Sequence, residues 1–183
     1  MMAEGKGAGK GVKRGLIVGR FQPYHIGHHN AIKNILQEVD ELIIVIGSTA
    51  DSYTKKNPFT TGERVEMISR ALHADSLYEK CIIVPVPDLK EYALWTGRVR
   101  AYCPSFNVVY TNNPLVRDLF EDEGMEVKPM VSNQKDVESA TMRNAMLNSE
   151  KWEHLTPPTV AEFLDKIRAA ERLKRIVEEE HKQ

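Results

Sequence analysis

Cysteine is scarce in this chain: Cys81 and Cys103 are the only two among 183 residues. Two thiols cannot build a disulfide framework, and their rarity fits a reducing, cytoplasmic setting. Cys81 opens an apolar run and is expected to be buried there. An excess of charge of either sign is also missing. Lys and Arg together number 25 against 26 Asp and Glu, a formal net charge of −1. The chain as a whole therefore exerts no bulk pull on nucleic acid or an anionic membrane, and any anion site must be local. No apolar run approaches the length that crosses a bilayer. The leader, residues 1–14, is rich in Gly and Lys but has no apolar stretch, which excludes a secretory signal. Its Gly5-Lys6-Gly7-Ala8-Gly9-Lys10-Gly11 mimics a phosphate loop. It lacks the first glycine of that pattern, the hydroxyl after Lys10 and a preceding strand, so it reads as a disordered tail. The remainder, residues 15–183, is most simply one domain, long enough to bury a real core.

What the chain does have is one dense loop, Gly19-Arg20-Phe21-Gln22-Pro23-Tyr24-His25-Ile26-Gly27-His28. It follows Gly15-Leu16-Ile17-Val18, a short apolar run that reads as a buried parallel strand. It precedes Ala31, Ile32, Ile35, Leu36 and Val39, an apolar stripe at helical spacing. Strand, tight turn and helix are the parts of a phosphate site, because a helix start offers free N–H groups and the positive end of its dipole. His25 and His28 are three apart, so both imidazoles can face one side of the first turn. Gly27 between them has no Cβ and lets a phosphate approach the backbone. Arg20 supplies a fork suited to phosphate oxygens, and Pro23 stiffens the approach to the helix. A lone histidine is more often structural than chemical. Two around a glycine, after a first strand and with an arginine five residues upstream, are hard to explain by packing.

Four further strands are expected at Glu41–Gly47, Cys81–Val86, Asn107–Thr111 and Met125–Met130. Between them, Thr60 and Glu63 form a capping box for a helix through Leu72, packed by Val65, Ile68 and Leu72. A helix is expected at about Ala93–Tyr102, and Asn112-Asn113-Pro114 opens another. A short helix follows at about Ser139–Leu147. After Pro157-Pro158 a last helix runs from about Thr159 to Val177, with Val160, Phe163, Leu164, Ile167, Ala170 and Leu173 at helical spacing. Five buried runs alternating with helices predict an α/β fold, a parallel sheet covered on both faces, with a C-terminal helical extension over about 139–179. Ligands in such sheets bind beyond the carboxyl ends of the strands. Every polar loop of interest follows a strand, after Val18, Gly47, Val86, Thr111 and Met130, which predicts one composite site.

His25-Ile26-Gly27-His28 resembles the HxGH signature of the nucleotidylyltransferase superfamily, whose members are built on a Rossmann-like, doubly wound sheet. The longer Gly-Arg-Phe-Gln-Pro-Tyr-His run is similar to archaeal-type nicotinamide-nucleotide adenylyltransferases, which join NMN and ATP into NAD and pyrophosphate. The likeness covers about Gly15 to Leu173. It includes Asn57-Pro58-Phe59-Thr60-Thr61-Gly62-Glu63-Arg64, Asn113-Pro114-Leu115-Val116 and Glu150-Lys151-Trp152-Glu153-His154-Leu155.

The resemblance implies attack of an acceptor phosphate oxygen on the α-phosphorus of ATP. Such chemistry needs aligned reactants and neutralised charge more than covalent help. It implies His25 and His28 on the triphosphate, His28 nearer the α-phosphate, with Gly19, Arg20, Phe21, Gln22, Gly27 and Ser139 around ATP. Arg143 falls where the family holds the β- and γ-phosphates. Lys56 is either a partner for the acceptor or leaving phosphates or a solvated loop lysine. Asp88, Tyr92, Trp95, Asn113 and Pro114 are the expected NMN contacts, with Trp95 stacked on the nicotinamide ring or buried as core. Mg²⁺ would be held through ATP phosphates and water, with no metal ligand from the protein. The resemblance further implies a homo-oligomer, a hexamer, with neither nucleic acid nor membrane as partner.

The chain departs from the family pattern in places. In Glu138-Ser139-Ala140-Thr141-Met142-Arg143 the family has Ser at the position of Glu138 and Thr at that of Ala140. Thr141 sits one position late, and Ser139 could cap the helix. Tyr53 stands for an expected His, Tyr92 for Asn and Asn112 for Gly, in three loops expected to converge on the acceptor. Two other readings share these residues: a sibling enzyme transferring adenylyl or cytidylyl to another phosphomonoester, and a nucleotide-binding regulator without catalysis. Intact His25, His28 and Arg143 favour an enzyme, and Trp95 with Asn113-Pro114 favours NMN.

Overall fold

Runs of β-branched and leucine side chains with no polar interruption form strands that are buried on both faces, and this chain has them at its centre. In the computed structural model, which describes residues 11–89, 94–131 and 137–182, five parallel strands make one sheet. They are β1 (Arg14–Gly19), β2 (Glu41–Ile46), β3 (Cys81–Pro85), β4 (Val108–Tyr110) and β5 (Glu126–Lys128). Their order is β3-β2-β1-β4-β5. The chain winds outward from β1 to β3, then returns to place β4 on the other side of β1. The order therefore reverses between β1 and β4, where such sheets bind ligands.

Successive residues alternate between two cores. Ile17, Ile44 and Val108 point to one layer, with Ile32, Ile35, Met67, Ile68, Met142, Val160 and Leu164. That layer is covered by α1 (Ile26–Ile35), α2 (Thr61–Ala74), α5 (Ser139–Leu147), α6 (Pro158–Lys166) and α7 (Ala169–Glu180). Leu16, Ile43, Val45 and Val109 point to the other, with Trp95, Val99 and Phe120 of α3 (Trp95–Tyr102) and α4 (Pro114–Glu121). The result is the expected Rossmann-like doubly wound α/β fold with a C-terminal helical extension.

The capping box forms as expected. Glu63 N donates to Thr60 Oγ1 at 3.2 Å and Thr60 N to Glu63 Oε2 at 2.9 Å. Two expectations are corrected. The last helix is two: Arg168 takes a left-handed backbone, φ 54°, and redirects the chain so that both Leu164 and Leu173 point inward. Cys81 is only half-buried, because β3 is an edge strand with intermediate exposure along its whole length. β4 and β5 are also shorter than the apolar runs that contain them. Among the described residues no helix is long and apolar enough to cross a membrane.

Candidate active site

The β1–α1 loop rises from the middle of the sheet, and a cleft opens on each side of it. Gly19 ends β1. A Cβ there would lie 2.7 Å from the Phe21 ring, so only glycine lets that ring fold back beneath the strand end. Phe21 itself adopts φ 52° and is buried. Gln22 is buried too, and its amide is spent on Phe59: Nε2 donates to Phe59 O and Oε1 accepts from Phe59 N, both at 2.9 Å. Phe21 and Gln22 thus build the wall of the cleft, and the Gln22 side chain is a strut between two loops.

His25 is the N-cap of α1. Its Nδ1 accepts from His28 N at 3.4 Å, and His28 Nδ1 accepts from His25 N at 3.3 Å. Two imidazoles here make the reciprocal box that a hydroxyl and a carboxylate usually make. The rings stack with centroids 3.6 Å apart. Because both Nδ1 atoms accept, each neutral ring carries its proton on Nε2 and can donate from there. Burial keeps the rings neutral: it lowers the His25 pKa from 6.5 to about 4. It also holds His28 well below its usual value, with the neighbouring His25 adding to the effect. At Gly27 a Cβ would crowd the His25 ring at 3.0 Å and Val137 O at 3.1 Å, so the glycine admits the segment that leads into α5.

The cleft on this side encloses about 410 Å³ and is lined by His25, Gly27, His28, Glu138, Ser139, Arg143 and Arg20 among others. Arg143 Nη1 donates to Gln22 O at 2.6 Å, and Ser139 Oγ to Pro23 O at 2.9 Å, so α5 leans on the loop through both residues. Ser139 is the first residue of α5 and not its cap. The cap position is Glu138, whose side chain makes no capping bond. Burial, followed by the nearby charge of Arg20, lowers the Arg143 pKa. Two arginines held near each other beside two helix starts form a site prepared for an anion.

The second cleft, about 640 Å³, is lined by Gly19, Arg20, Gly47, Asp51, Lys56, Asp88, Trp95 and Asn113 among others. Arg20 belongs to both clefts. Trp95 is buried as core, one of its two expected readings. It is buried edge-on against Phe120, with centroids 6.1 Å apart, and it still forms part of the cleft wall. The Asn113 side chain caps α4, its Oδ1 accepting from Leu115 N at 3.0 Å and Val116 N at 3.4 Å, with Pro114 in the first turn.

Of the three departures, the two among the described residues do not line this second cleft. Asn112 lines the first one, where its amide exchanges two 2.9 Å bonds with the backbone of Met130 and staples β4 to the end of β5. Tyr53 lines neither; its ring lies under the Arg172 guanidinium of α7 at 5.5 Å. Tyr92 lies outside the described residues.

Arg64 was not assigned a role from sequence. It is fully buried, and it donates to Gly47 O (2.7 Å), Ser48 O (2.9 Å), Arg20 O (3.0 Å), Thr61 Oγ1 (3.0 Å) and Thr60 O (3.3 Å). One guanidinium thus ties the β1–α1 loop, the end of β2 and the start of α2 together. The signal was available: Arg64 falls one helical turn before Ile68, on the inward stripe of α2, where a charge must have partners.

The sheet, the switch point and the loop between two anion-ready helix starts define a nucleotidyltransferase site, and the chain belongs to the cytidylyltransferase-like family, whose sequence pattern matches residues 16–156. Within it the chain is similar to nicotinamide-nucleotide adenylyltransferases. The nicotinamide-nucleotide adenylyltransferase of Thermococcus onnurineus is 47% identical over 163 residues, 88% of this chain and 87% of that one. That of Archaeoglobus fulgidus is 45% identical over 168 residues, 89% of this chain and 97% of that one. Among solved structures, a bifunctional NMN adenylyltransferase/ADP ribose pyrophosphatase from Francisella tularensis, complexed with AMP and a manganese ion, shares the fold. Its TM-score is 0.76 at 23% identity, over 93% of this chain and 53% of that one, so this chain spans about half of that protein.

Proposed function

We propose that this chain is an enzyme that transfers the adenylyl group of ATP to nicotinamide mononucleotide, giving NAD and pyrophosphate, as the names of its relatives state for them. The observation that carries the reading is the neutral His25/His28 pair, with Nε2–H donors in a cleft shared with Arg143 and the start of α5.

ATP lies along the smaller cleft. Its triphosphate meets His25 and His28 at the start of α1, with His28 at the α-phosphate, while Arg143, the Ser139 turn of α5 and Gly27 receive the β- and γ-phosphates. Gly19, Phe21 and Gln22 shape the wall. NMN occupies the larger cleft, against Trp95, Asp88 and the Asn113-Pro114 turn. Its phosphate meets Lys56 and Arg20. Arg20, common to both clefts, stands where attacking and leaving oxygens meet. The reaction needs no covalent intermediate: the NMN phosphate oxygen attacks the α-phosphorus, the bond to the pyrophosphate oxygen breaks, and donors fixed in the cleft wall meet the growing charge.

Mg²⁺ fits this site through the phosphates. Glu138 is the one carboxylate among the described lining residues of the ATP cleft, and no group of three His, Cys, Asp or Glu side chains able to hold a metal occurs among the described residues. The ion would neutralise phosphate charge, keep most of its water, and offset the carboxylate of Glu138. The enzyme works in the cytoplasm as a homo-oligomer, a hexamer.

The test is product formation from ATP and Mg²⁺ with a panel of phosphomonoester acceptors, followed by chromatography of dinucleotide and pyrophosphate. NAD from NMN at the highest kcat/KM is expected. Preference for another acceptor, or for CTP over ATP, would overturn the reading.

A further inference from the structure

Next to the histidine pair, and lining neither cleft, runs a hydrogen-bonded chain that leads from buried Tyr24 and His29 out to exposed Asp75 and Lys33. Tyr24 is fully buried, and its hydroxyl meets His29 Nδ1 at 3.0 Å. The other ring nitrogen of His29, Nε2, meets Asp75 Oδ2 at 3.1 Å, and Lys33 Nζ donates to that same oxygen at 2.7 Å. A carboxylate oxygen facing a lysine can only accept, so the His29 proton sits on Nε2. Nδ1 is then an acceptor, and the Tyr24 hydroxyl donates to it. Direction thus runs one way along the chain, from Tyr24 through His29 to Asp75.

The far end of this chain is the reacting pair. The Tyr24 ring lies nearly parallel to His28, 20° between planes and 5.6 Å between centroids, and His28 lies on His25. Phe21 closes the remaining side, edge-on to His28 at 4.8 Å. The backbone of Tyr24 is pinned as well, since Thr156 Oγ1 donates to Tyr24 O at 2.8 Å. His28 is therefore held in a box of three rings, and the tilt of one wall is set by a hydroxyl whose partner is His29.

Resting on the adenylyl-transfer reading above, we propose that His29 is a positioning residue for His28: its Nδ1 anchors the Tyr24 hydroxyl, Tyr24 fixes the His28 ring, and Asp75 selects the tautomer that makes this possible. Without an acceptor at position 29, the buried hydroxyl must turn to find another partner or stay unpaired. Either outcome tilts the Tyr24 ring and misdirects the His28 Nε2–H. Small misplacements at a reacting centre are costly in rate even when binding is unaffected, up to about a hundredfold for an ångström. A His29 that served folding alone would affect stability and leave turnover per folded molecule untouched.

The test uses the full-length chain and three single variants. His29→Leu removes both bonds. Tyr24→Phe removes only the hydroxyl. His29→Asn places an amide oxygen near the position of Nδ1, so it restores the acceptor for Tyr24 while giving up Asp75. At saturating ATP and NMN, His29→Leu and Tyr24→Phe are each expected to lower kcat about tenfold, with both KM values within about twofold of wild type. The double variant should be no slower than the slower single, and His29→Asn should recover most of kcat. Side-chain ¹H–¹⁵N spectra supply a readout independent of turnover. The His28 ring resonances should shift in His29→Leu and Tyr24→Phe and return in His29→Asn. An unchanged kcat in folded Tyr24→Phe overturns the proposal, as does a His29→Asn that is folded yet as slow as His29→Leu. Should wild type form no NAD, the adenylyl-transfer reading falls. The spectra then decide the positioning role, and a His28 ring unmoved by Tyr24→Phe ends it.

Discussion

Acidification should destabilise the ligand-free protein in a window that belongs to the histidine pair. The folded-state pKa of His25, about 4, lies below its ordinary 6.5 because the buried ring resists charge. Between those values the unfolded chain binds the proton more readily. Stability from this group is therefore fully present above pH 6.5 and is lost as the pH falls toward 4. Working the two binding curves at pH 5 against pH 7 gives a loss of about 2 kcal/mol for His25 alone. His28 is shifted the same way and adds to it. The depressed carboxylates, Glu38, Asp75 and Glu123, lose their contribution below ordinary values of 4.5, 3.8 and 4.5, so the step from pH 7 to pH 5 largely isolates the rings. Urea unfolding followed by circular dichroism should show the midpoint falling by about 1 M over that step. His25→Gln, which cannot titrate, should show a loss about 2 kcal/mol smaller. Parallel stability curves for wild type and His25→Gln between pH 7 and 5 would refute the burial argument. A linked effect follows on binding. A triphosphate beside the rings raises their pKa, so ATP should bind with proton uptake near pH 6, visible as calorimetric heats that vary with buffer ionisation enthalpy. Absence of uptake would mean that phosphate does not reach the pair.

Other substitutions probe the rest of the site. His28→Ala should lower kcat by about 10²–10³ with the fold intact, the usual cost of one donor aimed at transition-state charge; a turnover near wild type would remove His28 from the mechanism. Arg143→Ala should weaken ATP far more than NMN in calorimetry, and an equal loss for both would mean that the guanidinium acts only through its bond to Gln22 O. Arg172→Ala reaches the site from α7. Arg172 pairs with both oxygens of Glu63 at 2.7 and 2.8 Å and covers Tyr53, while Glu180 of the same helix accepts from Lys55 N at 2.8 Å. Freed of that clamp, the segment leading to Lys56 should raise the KM for NMN about fivefold, the equivalent of ~1 kcal/mol, and leave the KM for ATP unchanged. A KM for ATP that rises in step would place the clamp's effect on the whole sheet.

The strands and the histidine loop could be read from sequence because their signals are local. A parallel strand buried on two faces is a continuous apolar run, as at Leu42–Ile46, and Gly27 between two histidines at a helix start announces its chemistry within four residues. What could not be read is what joins segments far apart. Gln22 with Phe59, Arg143 with Gln22 and Thr156 with Tyr24 span 37, 121 and 132 residues, and no periodicity carries such pairings. The break at Arg168 had no glycine or proline to mark it; inward packing on both sides imposes it. Asn112 was read as a departure in a strand-end loop expected to converge on the acceptor. A short amide in that place can equally satisfy a neighbouring backbone, and here it does. Arg64 was the one legible feature passed over, a charge on an apolar stripe that only a set of carbonyls could accommodate.

The same geometry explains why the histidine pair is held ready without being charged. If both histidines were cationic, stacking them 3.6 Å apart in a buried cleft beside Arg20 and Arg143 would be prohibitively repulsive. Neutral rings avoid this, and fixed Nδ1 acceptors leave each Nε2–H as an oriented donor before any ligand arrives. The permanent positive charge then rests on the arginines, and Arg143 resists burial and the nearby charge of Arg20 until an anion lies between them. On the adenylyl-transfer reading proposed above, an incoming triphosphate relieves that repulsion and accepts from the Nε2–H groups. On that proposed reading, selectivity for a polyanion and stabilisation of the transition state arise from one arrangement, braced by Arg64 through Arg20 O and Gly47 O and by α5 through Ser139 and Arg143.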